Sequence, residues 1–274
     1  MATTHVTTQT ERVRIFHELH RSGCFVIPNP WNVGSARLLV QLGFPALATT
    51  SSGFAWSIGR QDRHITLDLA LRHLRELTAA VEVPINADFE DGFAVEPDDV
   101  AANVTRAVET GVAGLSIEDS THDPGEPLFD FDLAVERVAA ARRAIDESGT
   151  GVLLVGRTEA SGNLPLSERI RRLTAYAEAG ADCLFAPGLR SLAEIRSVVQ
   201  GVAPKPVNVL VNSDFATVAQ LAEIGVRRIS VGGALARAAW SGFLSAAREI
   251  AESGTFRGLG AAVSSKEIEG AFTG

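Results

Sequence analysis

The chain has 274 residues, 46% of them hydrophobic and 21% charged, without a low-complexity block. This is the composition of a folded globular protein with a sizeable core, and it excludes intrinsic disorder and fibrous repeats. Lys and Arg number 25 against 33 Asp and Glu, a net charge of −8 with no compensating basic cluster, which argues against a nucleic-acid or anionic-membrane partner.

The N-terminal stretch has no apolar core of signal-peptide length, and no run in the chain reaches 18 apolar residues. Cys24 and Cys183 lie far apart in apolar runs, without a C-x-x-C spacing. They are expected to be buried thiols in a reducing compartment, and the protein to be cytoplasmic.

Eight short apolar or β-branched runs recur along the chain, at 24–27, 46–50, 85–88, 114–118, 152–157, 183–186, 207–211 and 228–231. Between them lie helix-length segments with apolar residues three and four apart, such as Leu67, Leu71, Leu74 and Leu77, or Ile170, Leu173, Tyr176 and Ala177. Gly or Pro punctuates the approach to most strands, as in LGFPA, VEVPI and AGADC. Eight strands alternating with helices predict a parallel sheet closed into a (β/α)8 TIM-type barrel, an α/β fold filling residues 1–274 as one domain. A doubly wound dinucleotide fold is disfavoured, because no G-x-G-x-x-G follows the first strand. After a last barrel helix near 234–252, a tail at 253–274 remains, in which Ser264 and Glu267 read as the cap of a short helix. A closed barrel does not need that tail, which is thus free to pack on a neighbouring subunit.

Barrel chemistry sits at the C-terminal ends of the strands. Those ends deliver Asn29, Trp31 and Asn32; Thr50, Ser51, Ser52 and Gly53; Asp88, Glu90 and Asp91; Glu118; Arg157; Asn208 and Asn212; and Gly232 with Gly233. Asp88, Glu90 and Glu118, from adjacent strands, are hard oxygen ligands suited to Mg²⁺ or Mn²⁺, which keeps several waters and takes one or two carboxylates directly. Alternatively the D-x-E-D-G segment is a solvated acidic turn. Arg157 reads either as a clamp for a substrate carboxylate or as a structural ion-pair partner. Thr50, Ser51 and Ser52 read as a small-residue loop for a carboxylate or phosphate, or as plain helix-capping residues. Gly232 and Gly233 form a weak phosphate-site candidate, and His122 is a minor acid–base candidate. Trp31, Phe54, Phe89, Asn208 and Asn212 are candidates for discriminating among substrates.

The chain's two lysines, Lys205 and Lys266, both fall away from any strand's C-terminal end. Schiff-base and pyridoxal chemistry are therefore disfavoured, and no Gly-x-Ser-x-Gly elbow offers a nucleophile. Metal-assisted electrophilic chemistry on a 2-oxo or enol acid is what remains.

The phrases PNPWNVGSARLLVQLGFPALATTSSGFAWSIGRQD, PINADFEDGFA, GVAGLSIEDS, GRTEA and LAEIGVRRISVGGALARA together resemble the isocitrate lyase/phosphoenolpyruvate mutase superfamily. The resemblance implies an eight-stranded barrel whose final helix is exchanged between subunits of a homodimer or homotetramer. It also implies Mg²⁺-dependent C–C or P–C chemistry beside a pyruvate-like enolate. By position, Asp88 and Glu90 match the family's strand-three acids, Asp88 being the principal metal residue, and Glu118 matches the strand-four acid. Asp62 matches the acid after strand two, Arg157 the substrate-contacting arginine, and Thr50 to Ser52 the carboxylate- or phosphate-binding loop. The family's Lys-x-Cys-Gly-His gating loop is replaced here by EDSTHDPGEPLFDFD. The expected function is Mg²⁺-dependent C–C cleavage of a small 2-oxo or 2-hydroxy di- or tricarboxylate such as oxaloacetate or 2-methylisocitrate. The alternatives are P–C chemistry on phosphonopyruvate or phosphoenolpyruvate, ketopantoate hydroxymethyl transfer, and non-catalytic binding of a 2-oxo acid.

Overall fold

A computed structural model describes residues 7–160 and 164–272. In chain order its helices are α1 (Gln9–Arg21), α2 (Val33–Gln41), α3 (Ser51–Ser57), α4 (Leu67–Ala80), α5 (Pro97–Val108), α6 (Phe131–Ser148), α7 (Leu166–Glu178), α8 (Leu192–Gly201), α9 (Val218–Glu223), α10 (Ala234–Ser253) and α11 (Ser265–Gly270). The strands are β1 (Phe25–Ile27), β2 (Leu47–Ala48), β3 (Ile85–Asp88), β4 (Gly114–Glu118), β5 (Leu153–Arg157), β6 (Cys183–Phe185), β7 (Val207–Leu210) and β8 (Arg228–Ser230). All eight expected strands form, and they pair in parallel in the order β1-β8-β7-β6-β5-β4-β3-β2. The seam between β1 and β2 is spanned by Ala48 N–H donating to the Pro28 carbonyl at 3.1 Å and by Asn29 Nδ2 donating to the Thr49 carbonyl at 2.8 Å. The result is the (β/α)8 barrel that the alternation of runs predicts.

The run at 46–50 yields a strand of only two residues, since Thr50 leaves the ladder to cap α3. Its hydroxyl accepts from Gly53 N–H, as capping requires. Cys183 is buried as expected, whereas Cys24 precedes β1 and is half-buried; both are free thiols. Ser264 caps α11 by accepting from Glu267 N–H at 3.2 Å. No helix among the described residues is long and apolar enough to cross a membrane.

Helix α1 closes the N-terminal end of the barrel. Gln9 donates to the Val108 and Val112 carbonyls, Arg12 to those of Thr78 and Val81, and His17 bonds to that of Gly151. These carbonyls lie in the segments just ahead of β3, β4 and β5, so the helix is laid across the strand starts. Its Phe16 is fully buried. A Cβ on Gly114, the first residue of β4, would stand 2.6 Å from Phe16 Cε1 and 2.8 Å from Asn86 Oδ1. Glycine is required there by close approach.

At the other end of the chain, helix α10 is under-packed. Ala236 is its one buried residue, and Leu235, Trp240, Phe243, Leu244 and Ile250 are exposed, Phe243 by 60%. The helix leans mainly on the 3-10 turn Arg257–Ala261 instead of on its barrel neighbours.

Gly114→Ala should cost about 1–3 kcal/mol by overpacking Phe16 and Asn86. Urea unfolding followed by circular dichroism measures this, and an unchanged midpoint would show that the α1 plug is loosely seated.

Candidate active site

The C-terminal mouth holds a cavity of about 170 Å³. Asp88, Arg157, Thr50, Ser51, Ser52, Asp62 and Asn208 all line it. Asp88, the last residue of β3, points inward together with Asn86, as residues two apart on a strand must. Its Oδ2 accepts from the Ser51 N–H and Oγ–H, both at 2.9 Å. Its Oδ1 lies 3.0 Å from Arg157 Nη1.

Arg157 ends β5 and is held by three carboxylates. The same Nη1 is 3.0 Å from Glu118 Oε2, and Nε and Nη2 both lie 2.5 Å from Glu159 Oε1. Burial opposes the guanidinium's charge while Glu118, Glu159 and Asp88 favour it, and the net effect is to raise its pKa. Of the two readings of Arg157, the ion-pair one is realised in these contacts. It still lines the cavity with 20% of its side chain exposed, so one face is open to a ligand.

Glu90 and Glu118 stand behind Asp88 and do not line the cavity. Among the described residues no three His, Cys, Asp or Glu side chains are grouped to hold a metal ion. The reason is visible in the distances: Arg157 Nη1 occupies the position between Asp88 and Glu118 that a bridging cation would take. Glu90 is nevertheless a carboxylate in want of a cation. It is 5% exposed, its Oε1 is buried without a hydrogen-bond partner, and its backbone takes a φ of 47°. A non-glycine residue in that region is strained. Burial, with Asp88, Asp91 and Asp62 nearby, pushes its carboxyl up to about 8. Burial likewise drives Glu118 upward, against the pull of Arg157.

Two buried nodes keep this arrangement in place. Arg137 donates to the carbonyls of Asp91, Ala94 and Val95 and stacks 4.0 Å over the Phe129 ring, fastening the segment that follows Glu90. Asp119, next to Glu118, accepts from Thr158 Oγ1 at 2.7 Å, Glu159 N–H at 2.7 Å, Arg172 Nη1 at 3.1 Å and Tyr176 O–H at 2.6 Å. It thereby aligns the end of β5, and with it the Arg157–Glu159 pair. A Cβ on Gly233 would lie 2.9 Å from Ser52 Oγ, so glycine lets the β8 end approach the Ser52 hydroxyl.

Several residues expected at the mouth lie elsewhere. Trp31 does not line the cavity; its N–H donates to Ser35 Oγ at 3.0 Å. Phe54 is buried and stacked on His73 at 3.9 Å, Phe89 is fully buried in the core beside Phe93, and Asn212 is exposed beyond the end of β7. His122 sits 3.8 Å from Asp91 outside the cavity. Conversely, the cavity wall includes Asn29, Asn86, Ser116, Phe185, Arg228 and Ser230. Asn29 is one of the strand-end residues expected there; for Asn86, Ser116, Arg228 and Ser230 the sequence signal is a polar residue at an inward-facing position inside an apolar run, and Phe185 carries no such signal.

Residues 16–251 match the family model described as phosphoenolpyruvate phosphomutase. The chain is 30% identical to the 2-methylisocitrate lyase of Aeropyrum pernix, over 84% of this chain and 76% of that one. It is also 30% identical to the oxaloacetate decarboxylase of Paraburkholderia xenovorans, over 70% and 66% respectively. A crystal structure from Burkholderia cenocepacia J2315, provisionally named a lyase/mutase, superposes with a TM-score of 0.94 at 43% identity, covering 97% of this chain and 98% of that one.

Asp119→Asn should destabilise the protein by about 3 kcal/mol, because buried Arg172 loses one of its two countercharges and the β5 end its anchor. Thermal unfolding measures the loss; an unaltered transition would mean that Glu168 alone satisfies Arg172. With the barrel, the inward carboxylates and the extent of the match in view, the chain belongs to the phosphoenolpyruvate phosphomutase family of the isocitrate lyase/phosphoenolpyruvate mutase superfamily.

Proposed function

We propose that this protein is a divalent-metal-dependent lyase that breaks a carbon–carbon bond of a small 2-oxo or 2-hydroxy di- or tricarboxylate. Decarboxylation of an oxaloacetate-like acid and retro-aldol cleavage of a 2-methylisocitrate-like acid are the two reactions in view. The observation that carries the reading is the carboxylate of Asp88 on the cavity wall, backed by buried Glu90 with an oxygen that nothing satisfies. Hard oxygen donors of this kind fit Mg²⁺ or Mn²⁺. Asp88 would hold the ion directly and Glu90 and Glu118 through water, the arrangement that leaves Arg157 in its place. The ion, when bound, would withdraw electrons from the substrate oxygen.

The chain's own groups hold and orient the acid. Arg157 supplies positive charge at the wall, and the small Thr50–Ser52 loop lies beside it, its Ser51 hydroxyl given to Asp88 and the Thr50 and Ser52 hydroxyls sharing one bond, which leaves one of those two protons for a ligand. Asp62 lies at the rim, exposed, where it can exchange a proton with solvent. Lys205 is spent on the Ala181 carbonyl at the far end of the barrel, 2.7 Å away. Decarboxylation needs no general acid in the cleavage step, so among the two reactions it is the one these residues suit best.

Carbon-13 NMR of the protein with Mg²⁺ or chelator, against oxaloacetate, 2-methylisocitrate, isocitrate, phosphonopyruvate and ketopantoate, tests the proposal. Conversion of a 2-oxo or 2-hydroxy di- or tricarboxylate should require the metal and fall by at least about a hundredfold in Asp88→Ala. Undiminished turnover in that variant would refute the assignment, and phosphate release from phosphonopyruvate would place the chemistry at a P–C bond.

The exposed apolar face of α10 supports a homodimer or homotetramer in which this helix is covered by, or exchanged with, another subunit. Replacing Trp240 and Phe243 together by Glu should yield a monomer in sedimentation velocity; an unchanged sedimentation coefficient would exclude this face from the interface.

A further inference from the structure

The interior of a TIM barrel is filled as a rule by branched apolar side chains. Below the Asp88 level, this barrel instead carries Asn86, Asn208 and Arg228, whose side chains bond to one another across the interior. Arg228 Nε donates to Asn208 Oδ1 at 2.9 Å, and its Nη1 to Asn86 Oδ1 at 3.3 Å. Asn208 Nδ2 passes the chain on to Ser230 Oγ at 2.9 Å. Arg228 is 3% exposed yet lines the same cavity as Asp88 and Arg157.

What is missing is an anion. Three other buried arginines around the site are paired with carboxylates or cap backbone carbonyls: Arg157 with Asp88, Glu118 and Glu159, Arg172 with Asp119 and Glu168, Arg137 with three carbonyls. Arg228 has no carboxylate partner among the described residues, and its Nη2 has no hydrogen-bond acceptor there. Burial works against its charge, and the Cys183 thiol, not a carboxylate, is what opposes that effect. A guanidinium does not escape by deprotonating, and an uncompensated buried charge is costly. Leu or Met in its place would be cheaper for folding alone.

We infer that Arg228, fixed by Asn86 and Asn208, is a second anion subsite at the floor of the cavity, and that it takes the far carboxylate of a substrate whose 2-oxo or 2-hydroxy acid end lies at Asp88. This assignment rests on the carboxylic-acid reading above. It deepens that reading by making the substrate a diacid that enters lengthwise. The spacing fits. Asn86, which receives Arg228, is two residues below Asp88 on one face of β3, a drop of roughly 7 Å, which a four- or five-carbon diacid spans with its two ends. A carboxylate forked on Arg228 gains charge-assisted hydrogen bonds in a site sheltered from water, where they are strongest.

The test compares malate with 2-hydroxybutyrate, four-carbon 2-hydroxy acids that differ in the far carboxylate. Calorimetric titration of the full chain in Mg²⁺ should give malate a preference of about 10- to 100-fold. That ratio should fall to about one in Arg228→Met, whose thermal midpoint should equal or exceed the wild type's. Should the Met variant not fold, Arg228→Lys serves, since an ammonium keeps the charge but cannot reach both Asn86 and a ligand; there the preference should shrink about tenfold. Equal affinities for the two acids in the wild type, or a preference that survives substitution of Arg228, would overturn the assignment. So would a saturable stabilisation by chloride that depends on Arg228 and that malate does not compete away, because the subsite would then belong to an inorganic ion. A protein that prefers malate through Arg228 yet turns over no acid with Mg²⁺ would leave the subsite standing and refute the lyase proposal.

Discussion

One guanidinium organises the mouth of this barrel. Arg157 lies within hydrogen-bonding distance of carboxylates from β3, from β4 and from its own strand end, so three side chains that would repel one another are held by a common countercharge. Remove that charge in thought and Asp88, Glu118 and Glu159 become a buried acidic cluster with no reason to stay packed. The neighbouring Glu90 shows what that looks like, since it has no such partner and one oxygen without a bond. The contrast between a satisfied and an unsatisfied carboxylate within one loop length sets the electrostatics of the whole site.

The supports around Arg157 are built to the same end. Asp119 gathers four donors and fixes the segment 157–159. Arg137 closes on three carbonyls of the segment 91–95 that follows Glu90. Neither residue touches the cavity, and both bury charge deeply, so their free-energy return comes as rigidity at the mouth more than as net stability. This is how a scaffold shared by many barrels acquires one reactive face.

The barrel itself was legible in the sequence because its signal is redundant: eight apolar or β-branched runs, most of them preceded by a helix-stop phrase, leave little freedom in the count. Asp88, Arg157 and the Thr50–Ser52 segment were legible because strand ends are where barrel chemistry falls, and all of them do line the cavity. Which residues do not reach the cavity wall has no such linear signal. Trp31, Phe54 and Phe89 are large and lie next to strand ends, but position along the chain does not give direction, and Phe54 and Phe89 turn into the shell between strands and helices. That Glu90 and Glu118 stand outside the cavity wall, with the guanidinium of Arg157 between Asp88 and Glu118, is a three-dimensional fact with no linear trace. Arg228 is masked by the apolar run it begins, although Arg-Ile-Ser in β8 alternates polar, apolar, polar, the signature of a strand with one polar face.

The stopper at the N-terminal end has a kinetic meaning. With Phe16 buried against the start of β4 and α1 bonded across three strand approaches, α1 covers those strand starts, and the Asp88 cavity is reached from the C-terminal mouth. Whatever part of a molecule goes in first must come out last. If a bond is broken partway down that cavity, the two fragments leave in an order dictated by depth, the upper before the lower, and the lower fragment alone competes with incoming substrate for the free enzyme.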